Sequence, residues 1–108
     1  MTDPLGPVLA ALADPTRRRM IDALLREGVT SVPRLAGELP ITRQAVAKHL
    51  ATLHDAGLVD RLAGPGREVR YRLRPGALDP ALGWMRATAS AWDARLARLK
   101  GAVEGGGR

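Results

Sequence analysis

With 108 residues, no cysteine and a formal net charge of +6 from 17 basic and 11 acidic side chains, the chain has the size of one compact domain and a charge that favours a polyanionic partner. Only 3% of it is aromatic, one Tyr and two Trp without any Phe, so it lacks the stacking platforms on which single-strand binders hold bases. No apolar run approaches the roughly 18 to 20 residues of a membrane span, and the N-terminus has no signal-peptide pattern, so a soluble cytoplasmic protein is expected.

Leu5, Val8, Leu9 and Leu12 fall at helical spacing and predict a short first helix. Asp14-Pro15 supplies an N-cap and a first-turn proline for a second helix. That helix carries Met20, Ile21, Leu24 and Leu25 inward and stops at Gly28. Its first turns hold Arg17, Arg18 and Arg19, where the helix dipole favours acidic residues. Asp14 and Asp22 lie four residues either side of Arg18, so local ion pairs can absorb the charge; contact with phosphate or a partner is the alternative. Val32, Leu35, Ala36 and Leu39 predict a third helix, with Thr30 or Ser31 as N-cap and Pro33 in the first turn. Pro40 ends it by pushing the preceding residue out of the α region.

Thr42 then caps a fourth helix from Arg43 to about Asp55, with Gly57 as its C′ residue. Val46, Leu50 and Leu53 make one narrow apolar stripe. Gln44, Lys48, Ala51 and Asp55 point the opposite way, and Thr42 and Arg43 project from the N-terminus. Gln can pair with adenine, Arg and Lys with guanine, and Ala can touch a thymine methyl. Small Ala45, Ala47 and Ala51 let such a helix sit deep in a major groove. Two helices about a tight corner also occur in ordinary helical domains, with Gln44 and Lys48 merely solvated.

The segment that follows favours the first reading. Val69, Tyr71 and Leu73 alternate with Glu68, Arg70, Arg72 and Arg74, the period of a strand with one face packed. Ala63-Gly64-Pro65-Gly66-Arg67 supplies the turn of a hairpin. Residues 61 to 74 hold five arginines against one glutamate, with Asp60 just before them. A charged edge strand also protects against aggregation, but directly after a helix-turn-helix it reads as a wing that grips phosphate.

Asp79-Pro80 starts a last helix running to about Lys100, before Gly101. Leu82, Met85, Ala89, Trp92, Leu96 and Leu99, with Val103 next, repeat at alternating spacings of three and four, a heptad seam. The expectation is a dimer interface centred on Trp92, with Ala89 allowing close approach and Arg86, Asp93, Arg95 and Lys100 flanking it. Folding back onto its own domain, against the first helix, is the alternative. Trp84 lies off the seam and is expected to pack on the domain body. Three segments are expected: residues 1–78 as the DNA-binding domain, 79–103 as its dimerisation helix, and 104–108 as a flexible tail.

Leu12-Ala-Asp-Pro-Thr-Arg17, Ile41-Thr-Arg-Gln-Ala-Val-Ala-Lys-His-Leu50, Leu53-His-Asp-Ala-Gly-Leu-Val59 and the arginine-rich wing together carry a resemblance. Over roughly residues 5 to 100 the chain resembles the ArsR/SmtB-type bacterial winged-helix repressors. The resemblance implies a mainly α fold with a small β-hairpin, a winged helix-turn-helix with a long C-terminal dimerisation helix. It implies a homodimer paired through its first and last helices that sits on an inverted-repeat operator in double-stranded DNA. It also implies DNA contacts at Thr42, Arg43, Gln44, Lys48 and His49, and at Arg67 and Arg70 on the wing. Metal-sensing members carry a cysteine pair where this chain has Thr30-Ser31-Val32-Pro33, or an Asp/His set on the last helix, which here has Asp93 but no histidine. His49 and His54 point about 140° apart on one helix, given 3.6 residues per turn. The expectation is therefore no metal and no cofactor, with any effector unknown.

No Ser/His/Asp or Cys/His arrangement and no phosphate loop after a strand is present, so an enzyme is not expected. Two alternatives come from other binding classes. One is a protein-interaction module using the C-terminal seam, and the other a structured-RNA binder using the basic wing.

Overall fold

The computed structural model describes residues 3–105. Along the chain these form α1 (Leu5–Leu12), α2 (Pro15–Glu27), β1 (Val29–Ser31), α3 (Val32–Glu38), α4 (Arg43–Asp55), β2 (Val59–Ala63), β3 (Val69–Leu73) and α5 (Asp79–Gly105). They divide at Leu78 and Asp79 into two compact units, the second consisting of α5.

Asp14 sets the corner between α1 and α2. Its backbone is extended, and its carboxylate accepts the N–H groups of Thr16 at 2.7 Å and Arg17 at 3.3 Å, so α2 starts at Pro15 with two orphan donors satisfied. Ion pairs of Arg18 with Asp14 and Asp22 do not form. Arg18 instead donates to the Leu12 carbonyl at 2.6 Å, and Arg17 donates to Ala11 at 2.7 Å and Ala10 at 3.1 Å. The two guanidiniums thus satisfy the carbonyls that α1 leaves open at its C-terminus and neutralise its dipole. Arg17 also stands 3.6 Å from the Asp14 carboxylate. Along α2, Met20, Ala23 and Leu24 are buried, whereas Leu25 is 67% exposed, a correction to its expected inward place. Leu25 sits about 100° past Leu24 on the helix, beyond the stripe the core covers.

The sheet has three strands rather than the two of a simple hairpin, in the order β1-β3-β2 and antiparallel throughout. β1 is only three residues long, too short to show a period. Thr30 stands opposite Tyr71 and Ser31 opposite Arg70. Thr30 and Tyr71 are buried, while Val69 near the hairpin tip is 47% exposed because the strand there runs past the core. Ser31 occupies the N-cap position of α3 without a capping hydrogen bond.

α3 ends at Glu38, with Leu39 driven to extended backbone (φ −114°, ψ 146°) ahead of Pro40. α4 has the expected limits. Thr42 accepts the Ala45 N–H at 3.1 Å at one end. At the other, Gly57 (φ +78°) donates to His54 and Leu58 donates to Leu53, each at 2.9 Å, a complete Schellman motif. Val46, Leu50 and Leu53 are fully buried with Met20, Leu24, Leu35 and Val59. This core fixes α4 against α3, so that the opposite side of α4 is the one left to solvent.

α5 spans 27 residues, about 40 Å at 1.5 Å per residue, and passes through Gly101 instead of stopping there. Glycine in a helix interior costs only about 1 kcal/mol relative to alanine, and Gly101 keeps a negative φ. Glu104 and Gly105, expected in a flexible tail, are helical, and residues 106–108 lie outside the described residues. No helix among the described residues is long and apolar enough to cross a membrane.

Candidate nucleic-acid interface

The first turn of α4 carries no acidic residue, so the positive end of its dipole stands unscreened. Arg43, Gln44, Ala47 and Lys48 are exposed there, with Ala51 half-buried one turn on. Among the described residues the side chains of Arg43, Gln44 and Lys48 make no hydrogen bond or ion pair, so all their donors face solvent. Thr42 uses its oxygen as the helix cap and keeps its O–H free to donate.

His49 does not share this face. It is half-buried on the flank of α4, close enough to α2 that its charge acts on Asp14. Partial desolvation would raise the Asp14 pKa, but the N–H groups of Thr16 and Arg17 and the charges of Arg17 and His49 hold it below its ordinary value. The helical period places His49 about 140° from Gln44, towards α1 and α2.

The wing arginines separate into two groups. The tip is closed by Gly64 donating to Glu68 at 2.9 Å and Glu68 donating to Pro65 at 3.1 Å, with Gly66 at φ +61°. Arg67 is exposed at this tip and, like Arg61 on β2, makes no ion pair among the described residues. Arg70 is held by Glu68, with Nη2 at 3.3 Å. Arg72 and Arg74 share one carboxylate, Asp60, at 3.5 and 2.8 Å. The hydrogen bond from Arg74, reinforced by both guanidinium charges, pulls the Asp60 pKa below its ordinary value against some desolvation. Period-two alternation counted all these arginines alike. The pairing with Asp60 comes from the antiparallel register, which sets Asp60 opposite Arg72. Arg61, not singled out from the sequence, belongs with Arg67 as a free cation, and its position outside the Val69–Arg74 alternation hid it.

On α5 the predicted seam is exposed throughout: Leu82, Met85, Ala89, Trp92, Leu96 and Leu99, with Trp92 at 64% and Leu96 at 52%. Trp84 is half exposed rather than packed away, and with Met85, Thr88, Ala89 and Trp92 it lines a shallow apolar groove along the helix. Among the described residues no group of three or more His, Cys, Asp or Glu side chains is placed to hold a metal ion.

Residues 12–61 match the family described as a helix-turn-helix domain. The solved structure of an ArsR-like transcriptional regulator from Rhodococcus sp. RHA1 superposes with a TM-score of 0.85 and 39% identity, covering 94% of this chain and 92% of that one. The HTH-type transcriptional regulator CmtR of Mycobacterium tuberculosis is 48% identical over 73 residues, which are 68% of this chain and 60% of that protein. The chain thus spans less than two thirds of the length of that relative. The transcriptional repressor SdpR of Bacillus subtilis is 30% identical over 81 residues, 75% of this chain and 88% of that protein. The chain belongs to the ArsR/SmtB-type family of winged helix-turn-helix transcriptional regulators.

Proposed function

We propose that this protein is a sequence-specific double-stranded DNA-binding repressor that acts as a homodimer on an inverted-repeat operator. The observation that carries the reading is the division of its polar side chains. Arg17, Arg18, Arg72 and Arg74 are consumed within the fold, whereas Arg43, Gln44 and Lys48 on α4 and Arg61 and Arg67 on the wing are left unpaired. A helix entering the major groove with a flanking wing needs that distribution: base-reading groups on the helix and phosphate-gripping charges beside it. Arg43, Gln44 and Lys48 read base edges, Thr42 and Arg67 hold backbone, and Arg70 joins them by leaving Glu68. His49 acts from the flank of α4 as a support to its position.

The exposed seam on α5 favours the dimer. A row of Leu82, Met85, Trp92, Leu96 and Leu99 open to water over several turns is the apolar patch that a second copy covers. A two-fold pair then presents its α4 helices to half-sites about one helical turn apart. A regulator without thiolate-based metal sensing is proposed, supported by the absence of cysteine from the sequence and by a donor set short of the three or four ligands zinc takes.

Selection of genomic fragments by the purified protein tests the reading. The expected result is a two-fold symmetric site retained over random duplex at every salt concentration, while absolute affinity falls steeply by counterion release. Equal affinity for all duplexes, or preference for structured RNA, would refute it.

A further inference from the structure

Beside the wing tip, on the outer face of the sheet, lies a cleft of about 510 Å³ whose lining includes Val29, Ser31, Pro33, Arg34, Glu68 and Arg70. That volume is in the range of small-molecule sites. Ser31 is only 9% exposed, and its hydroxyl makes no hydrogen bond even though it stands at the N-cap of α3. The strand register puts it directly opposite Arg70, so the unpartnered hydroxyl of a largely buried serine and a guanidinium share one wall.

The two arginines are only partly engaged. Arg34 holds Glu27 through Nε at 2.9 Å and keeps its two terminal nitrogens free. Arg70 reaches a single Glu68 oxygen with Nε at 3.4 Å and Nη2 at 3.3 Å, well beyond the roughly 2.7–2.9 Å of a strong charge-assisted bond. Such a contact yields readily to a better-placed acceptor. Arg70 also lies against the wing tip, since a Cβ on Gly64 would meet its Nε at 3.1 Å.

We propose that this cleft binds an oxyanion, a phosphate or carboxylate group seated on the Ser31 hydroxyl and the guanidiniums of Arg34 and Arg70, and that its arrival takes Arg70 from Glu68. The group comes either from a small molecule or from the backbone of a bound duplex. The link to DNA rests on the repressor reading; the oxyanion site itself does not.

The experiment is titration of the full-length protein with inorganic phosphate at constant ionic strength, with chloride as the control, followed by the Ser31 amide and the arginine Nε–H signals in nitrogen–proton NMR spectra. Saturable shifts at Ser31, Arg34 and Arg70 that chloride does not reproduce are expected. Arg34→Ala should weaken phosphate binding by about tenfold or more, the loss of one hydrogen bond to a charged group. Glu68→Gln should tighten it several-fold, because the competing carboxylate charge is gone. A merely structural pair would give no tightening. Non-saturating shifts that chloride matches, or unchanged affinity in both variants, would overturn the proposal. Repeating the titration with saturating duplex assigns the source. Loss of the phosphate response places the DNA backbone in the cleft, and a persisting response assigns it to a small molecule. Failure of any duplex to bind would refute the repressor reading and leave the phosphate result standing.

Discussion

Because Arg67 is free and Arg72 is tied to the Asp60 carboxylate that it shares with Arg74, alanine at these two positions should act differently on the salt dependence of duplex binding. Each phosphate contact adds about 0.9 to the slope of log affinity against log salt. Arg67→Ala should therefore flatten the slope by close to 0.9 per protomer. Between 50 and 200 mM salt, a fourfold change, the lost contact corresponds to about 3.5-fold less decline in affinity. Arg72→Ala should flatten the slope much less, since that guanidinium is held against Asp60 at 3.5 Å rather than free to contact a phosphate. Asp60→Asn should steepen it, because two guanidiniums are released together. Fluorescence anisotropy of a labelled duplex over a salt series measures all three. An unchanged slope in Arg67→Ala together with a flattened slope in Arg72→Ala would refute the division of the wing.

Gln44→Ala should relax specificity at one or two base pairs per half-site, costing roughly 1–3 kcal/mol there, as read by competition among singly altered duplexes. Leu96→Glu should convert the protein to a monomer in sedimentation and weaken specific binding more than about tenfold, since a buried carboxylate replaces an apolar seam residue; a stable dimer with unchanged affinity would refute the seam. Thr42→Ala removes the cap on Ala45 and should lower stability by about 1 kcal/mol, read from the urea midpoint. The Asp60 pKa is lowered in the fold; its contribution to stability is present in full above the unfolded value of 3.8 and lost as pH falls through the lower folded value. Acid unfolding of Asp60→Asn should show a correspondingly weaker pH dependence in that range.

Much of the fold was legible because its signals are local. Asp14-Pro15, Thr42 and Gly57 place helix ends through contacts within four residues of themselves, and those ends fall where the sequence puts them. The stripe of Val46, Leu50 and Leu53 is a one-helix pattern and is buried as expected. What the sequence left open depends on partners distant along the chain. β1 exists as a strand only because β3 lies beside it. Leu25 has the residue type of a core position but lies outside the surface that the other helices cover. His49 belongs to the same motif as Gln44 and Lys48, yet packing turns it towards Asp14.

From its sequence alone this protein is determined to be a basic helix-turn-helix followed by a charged hairpin and a heptad-patterned helix. Periodicity, caps and turn residues carry that information within a few residues. Only the tertiary structure decides which polar side chains are available. It locks Arg17 and Arg18 onto the end of α1, pairs Arg72 and Arg74 with Asp60, and leaves Arg43, Gln44, Lys48, Arg61 and Arg67 to solvent. Composition counts every arginine equally; an ion pair depends on two side chains meeting within about 4 Å, and that distance is set by the fold.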